Sequence, residues 1–147
     1  MSTATSLFQS PRNPAPPSLQ TFSREEDRAR LTPSALIALR SLAETWQLKG
    51  LEAAMLLGVS ESTWDRIKAC SWSGVLSQDQ FMRVSAMIGT FKALHLLFAD
   101  DMADRWPRLR NSGPLFGNLS PIEAMMERGI PGMIEIRQHV DALRGGL

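Results

Sequence analysis

The chain has 147 residues, 44% hydrophobic and 21% charged, an ordinary globular composition with enough apolar mass to build a core. Its formal net charge of +1 leaves no overall field to draw it onto nucleic acid or a membrane, so any nucleic-acid contact must come from a local patch. No apolar run approaches the roughly 20 residues that cross a bilayer, and the expectation is a soluble protein.

Residues 1–22 carry Pro11, Pro14, Pro16 and Pro17 among Ser, Thr and Gln. Such a stretch sustains no helix and buries little, and it reads as a disordered arm. It has no hydrophobic signal core after Met1, so the expected location is the cytoplasm. From Phe22 onward the strong signals are helical: there is no tyrosine and no sustained period-two alternation. A first helix is predicted from about Ser23, with Glu25, Glu26 and Asp27 at its positive end. A second is predicted from Thr32, with Pro33 at its first position. Leu36, Ile37, Leu39, Leu42, Ala43 and Trp46 give it a broad apolar face, and Gly50 punctuates it.

Two short helices follow, Leu51–Leu57 and Glu61–Ala69, separated by Gly58 and Val59. Their pattern is that of a helix-turn-helix. Ala54 is the small residue where two helices approach. Gly58 tolerates a left-handed backbone at the turn. Val59, Trp64 and Ile67 are apolar at inward positions, and Ser60 is a good N-cap. The outer face of the second helix then carries Glu61, Ser62, Asp65, Arg66 and Ala69, flanked by Thr63 and Lys68. That is the face that enters a major groove in DNA-reading proteins. The candidate DNA contacts are Ser60, Ser62, Thr63, Arg66 and Lys68, with Arg66 able to reach a guanine edge and the hydroxyls able to touch bases or phosphates. Glu61 and Asp65 put negative charge where phosphate approaches, so a helix-turn-helix that serves only as a packing unit is the alternative. Cys70, the one cysteine, excludes an intramolecular disulfide and a multi-cysteine metal site. At the end of a helical pattern, it reads as packing filler.

Ser77 opens the longest predicted helix, residues 78–99, with Gln80 completing an S-x-x-Q capping box. Phe81, Val84, Ile88, Phe91, His95 and Phe98 form one stripe along it. So wide an apolar surface lies at the centre of a small bundle or at a dimer interface, and Phe81, Val84, Ile88 and Phe91 are the candidate seam of a homodimer. His95 and His139 fall in different helices and make no local metal motif. After Asp104 the periodicity is broken by Pro107, Asn111, Gly113, Pro114, Gly117 and Asn118, which mark a loop. Ser120-Pro121-Ile122-Glu123 is a second capping box, and its helix ends at Gly129. Pro131 starts a last helix, with Met133, Ile136, Val140 and Leu143 at three- and four-residue steps. Gly145 and Gly146 stop it, leaving Leu147 as an apolar end.

The ordered set from Trp106 through Asn111, Phe116-Gly117, Ser120-Pro121 and Gly129 to Leu143-Arg144-Gly145-Gly146 resembles the toxin-binding domain of the Xre/MbcA/ParS-type antitoxins. Leu76-Ser77-Gln78-Asp79-Gln80-Phe81-Met82-Arg83 resembles that family's linker-helix opening, and the helix-turn-helix is similar to its Xre-like N-terminal part. The resemblance covers roughly residues 32–147. It implies an all-α protein with a helix-turn-helix domain over 23–76 and a long helix plus toxin-binding domain over 77–147. It further implies an antitoxin, dimeric and in many relatives repressing its own operon. The implied partner is a RES-like toxin of ADP-ribosyltransferase fold that consumes NAD, neutralised by occlusion of its active site.

A last helix with a glycine-flanked tail suits occlusion of a concave site. Arg137 and Arg144, seven residues apart on one helical face, would pair with a toxin's acidic groups or lie solvated. Phe116 would be an interface anchor or a plug between helices. Gly146 and Leu147 complete the expected toxin contact, and Trp106 reads as core. The competing reading is a stand-alone helix-turn-helix regulator with a dimerising or sensing C-terminal domain. There is no nucleophile–base pair, phosphate loop or metal cluster in the sequence, so neither catalysis nor a cofactor is expected.

Overall fold

A computed structural model describes residues 22–145; the proline-rich arm up to residue 21, Gly146 and Leu147 lie outside the described residues. Six α-helices and one 3₁₀ turn make up the described part, with no strand among those residues. The all-α class expected from the sequence is what forms.

Helix α1, Glu25–Thr45, turns its buried residues Leu36, Leu39, Leu42 and Ala43 to the core, and Trp46 just beyond its end is fully enclosed. The predicted break before Thr32 does not occur: one helix runs through both predicted segments, with Pro33 inside it. Thr32 shows how the tertiary structure overrides the local signal. Its hydroxyl donates back to the Arg28 carbonyl at 2.6 Å and accepts the Leu76 backbone N–H at 3.2 Å. Pro33 is exposed and gives up only the N–H that would have bonded one turn back. Nor does α1 reach Gly50. Gln47, at φ 53°, turns the chain, and Gly50 becomes the first residue of α2.

Helices α2 (Gly50–Leu57) and α3 (Glu61–Lys68) form where the pattern placed them. Gly58 closes α2 at φ 81°, a backbone that costs glycine nothing and a β-branched residue a great deal. Ser60 caps α3 by accepting the Thr63 N–H. Cys70 is not filler: it is exposed just past α3, at φ 59°.

Central to the fold is α4, Gln78–Leu97, which packs against α1, α6 and α5 (Asp100–Arg105). Both halves of its capping box are present, Ser77 Oγ to the Gln80 N–H and Gln80 Oε1 to the Ser77 N–H. The sequence reading had no helix at α5, and the 3₁₀ turn Trp106–Arg108 continues it. A loop then runs to Ser120. There the Asn111 side chain accepts the Gly113 N–H at 2.8 Å, and the Asn111 and Asn118 backbones bond across the loop.

Helix α6, Pro121–Arg144, opens on the complete Ser120–Glu123 capping box. It is two helical arms meeting at Gly129, whose φ of 67° and ψ of −147° interrupt the helix where the sequence predicts a stop. That region is almost closed to residues with a Cβ. One core cluster links Leu36, Leu39 and Trp46 of the α1 segment, Trp64 and Ile67 of α3, Phe81 and Met87 of α4, and Met125, Met133 and Ile136 of α6. Phe22, which the sequence reading assigned to the arm, stacks on Phe81 with ring centroids 4.8 Å apart.

Candidate functional site

The α2–α3 pair is built as its inward residues require. Ala54, Trp64 and Ile67 are buried, and Val59 packs against them at the turn. This orients the opposite side of α3 to solvent. There Ser60, Ser62 and Thr63 form a hydroxyl cluster: Ser60 Oγ lies 3.2 Å from Ser62 Oγ and donates to Thr63 Oγ1 at 3.0 Å. Arg66 Nη2 donates to Thr63 Oγ1 at 3.2 Å, which aims the guanidinium along the exposed face. Ser62, Arg66 and Lys68 are exposed, as are Glu61 and Asp65 beside them. Among the described residues no carboxylate pairs with Arg66 or Lys68, so both cations stay available to an outside partner.

Three elements hold the pair from behind. Arg83 of α4 donates to the Leu56 carbonyl, and Gln80 of α4 to the Gly58 carbonyl, each at 3.4 Å. Arg40 of α1 donates to the Ile67 carbonyl at 3.3 Å. Arginines thus reach the negative carbonyl ends of α2 and α3. From the 3₁₀ turn, Arg108 forks onto Glu52 of α2, with Nη1 at 2.9 Å from Oε2 and Nη2 at 2.7 Å from Oε1. It also donates to the Trp46 and Gln47 carbonyls. The hydrogen bonds from Arg108 hold the Glu52 carboxyl below its ordinary range, against the opposing pull of burial, with the Lys49 N–H helping. Glu52 in turn raises the Arg108 guanidinium.

On α6 the two arginines singled out from sequence share a partner. Arg137 Nε lies 4.0 Å from Asp141 Oδ2, and Arg144 Nη2 lies 3.6 Å from Asp141 Oδ1. Arg137 also donates to the Ser85 carbonyl of α4 at 3.4 Å. Two guanidiniums against one carboxylate leave this strip net positive, and half-exposed Ile134 stands one turn before Arg137 on the same side. Gly146 and Leu147 lie outside the described residues. Phe116 is not at the surface. It is 1% exposed, edge-on to Trp106 at 5.7 Å and to His139 at 5.6 Å, so it plugs the fold and offers no face to a partner. Phe81 and Val84 are likewise enclosed within this chain, while Ile88 and Phe91 are partly covered by its core. A seam between two copies along α4 therefore has only Ile88 and Phe91 of the four to offer.

Over 126 residues the chain is 32% identical to the uncharacterized protein y4oB of Sinorhizobium fredii (strain NBRC 101917 / NGR234), covering 84% of this chain and 94% of that protein. The chain belongs to the y4oB family. No protein-family model matches it. No solved structure matches it either.

In this member of the y4oB family, sequence reasoning found the cap residues and the outer-face residues of α3 but missed Arg108, Glu52, Arg83 and Arg40. Arg108 and Glu52 lie 56 residues apart, and nothing in local spacing couples them. The only hint was the excess of arginine, 13 against three lysines, because arginine suits bidentate grips on carboxylates and carbonyls. Among the described residues no helix is long and apolar enough to cross a membrane.

Proposed function

We propose that this protein is an antitoxin. It binds a RES-like, NAD-consuming toxin through its C-terminal half, occludes the toxin's active site and represses its own operon through a helix-turn-helix formed by α2 and α3. It works by binding, without turnover and without a cofactor, as a cytoplasmic homodimer. The observation that carries the reading is the net-positive strip Arg137–Asp141–Arg144 beside Ile134, presented on the last helix where the family resemblance puts the toxin contact. Its support is a platform built from the residues of that resemblance: Trp106 on Phe116, the Asn111 turn, the Ser120 cap and the Gly129 break.

Deleting the last helix would be an uninformative test, because Met133, Ile136 and Val140 are core residues. The surface variant Arg137→Glu/Arg144→Glu reverses the strip and leaves the core intact. Co-expressed with the product of the neighbouring gene, the wild-type chain is expected to co-purify with it and to preserve cellular NAD. The double variant, with its helical circular-dichroism spectrum retained at the assay temperature, is expected to lose both. Full protection by the variant rejects the strip as the toxin contact, and no complex with the wild type rejects the antitoxin reading.

The second reading, a stand-alone helix-turn-helix regulator, is favoured by Arg66 and Lys68 on the open face of α3, where no carboxylate among the described residues pairs with them. For operator binding, Arg66→Ala is expected to weaken a gel shift on the DNA upstream of the gene by about 1–3 kcal/mol. Unchanged affinity removes Arg66 as a reader.

A further inference from the structure

His95, near the end of α4, faces two carboxylates of α5 at once. Its Nδ1 lies 3.0 Å from Asp100 Oδ1, and its Nε2 lies 2.6 Å from Asp104 Oδ1. A neutral imidazole carries one N–H, so it can donate to one of these oxygens and must turn a lone pair on the other. Only the imidazolium satisfies both. The Phe91 ring covers one side of it at 4.4 Å.

The span the histidine closes is weak without it. Helix α5 is six residues long, and Ala99 gives it no side-chain cap. Asp100 opens α5 and Asp104 lies in its last turn, so His95 pins both ends to α4. The next residues, Trp106–Arg108, form the turn from which Arg108 grips Glu52 of the α2–α3 pair.

We propose that His95, Asp100 and Asp104 form a proton-operated latch that fastens α5, and through it the Arg108 turn, to the rest of the fold. Burial pulls the His95 pKa down, but the hydrogen bonds to Asp100 and Asp104, with the negative charge of both, leave it raised. Helix α6 packs nearby, its Val140 sharing a small buried cluster with Ala93, Leu94 and Ala103. Asp100 and Asp104 are the charged groups in hydrogen-bond contact with the ring, and on α4 itself exposed Lys92 stands one turn before His95. The third carboxylate of α5, Asp101, pairs with Arg105 at 3.3 Å. The sign follows from the raised value. The latch stabilises fully below the ordinary histidine pKa of about 6.5 and is lost as pH rises through the higher folded value.

The test is hydrogen exchange of the 99–108 backbone amides on the full chain, corrected for intrinsic rates, together with an NMR titration of the His95 ring. The ring is expected to titrate above about 6.5. Protection of 99–108 is expected to fall as pH rises from the ordinary histidine pKa of about 6.5 through the higher folded value, roughly tenfold for each unit between the two. His95→Gln, which cannot titrate, should show a flat profile, and Asp104→Asn should lower the ring's pKa. A ring titrating at or below the ordinary value overturns the latch, as does the same pH profile in wild type and His95→Gln.

Discussion

Replacing Phe116 with alanine is expected to cost about 3–5 kcal/mol of folding free energy. The ring is 1% exposed and sits edge-on between Trp106 and His139, so it joins the 3₁₀ turn to the last arm of α6. Its removal deletes a large buried side chain, leaves a cavity and ends two aromatic contacts worth about 0.5–1.5 kcal/mol each. For a chain of this size the thermal midpoint should fall by about 10 °C. Differential scanning calorimetry measures it directly. A fall of only a degree or two would mean that the Trp106–His139 gap closes without the ring. Phe116→Leu, which keeps most of the volume, should recover a large share of the loss, as expected of a core plug.

The Arg108 grip on Glu52 carries the second large expectation. Arg108→Ala should cost about 2–3 kcal/mol, because it removes a forked, charge-assisted pair, leaving Glu52 only the Lys49 N–H and two carbonyls without the Arg108 donor. The pair is partly screened, with side chains 34% and 18% exposed, so the figure stays below that of a fully buried bridge. Arg108→Lys should recover little, since an ammonium cannot fork. A double-mutant cycle with Glu52→Gln isolates the coupling, and a coupling near zero would assign the whole effect to the two carbonyls.

Acid supplies an independent readout. The depressed Glu52 pKa contributes stability that is present above the ordinary carboxylate pKa and lost as pH falls through the lower folded value. Its loss should therefore appear on the acid limb of a stability profile and be absent from Glu52→Gln. The latch at His95 acts on the opposite limb, so the two contributions separate by pH.

Residues whose partners lie three or four positions away were legible in the sequence. The Ser60, Ser77 and Ser120 caps, the Gly58 turn and the Gly129 break all stand where the pattern put them. A cap or a left-handed turn is decided by one side chain and the backbone beside it, so its chemistry is fully present in a four-residue window. The same locality made the exposed side of α3 readable once Trp64 and Ile67 were taken as inward. On α6, Asp141 lies within helical reach of both Arg137 and Arg144, yet the sequence reading left the two arginines solvated or turned to a partner.

What only the tertiary structure decided is everything set by contacts between distant parts of the chain. Thr32 reads locally as a helix start, but the Leu76 N–H and the Arg28 carbonyl hold its hydroxyl inside one continuous α1. Phe81, Val84 and Phe116 read locally as apolar and free to serve a partner. The enclosing residues, Phe22 among them, come from elsewhere in the sequence and leave these three inside the fold. Arg108 has no local signal at all, because the groups it grips arrive from residues 46–52. By itself the sequence determined a helical chain, its serine caps and glycine breaks, and the apolar side of its main helices. Whether an apolar or charged side chain meets its own chain or remains open to another depended on packing, since burial is a property of the assembled neighbours and not of the residue.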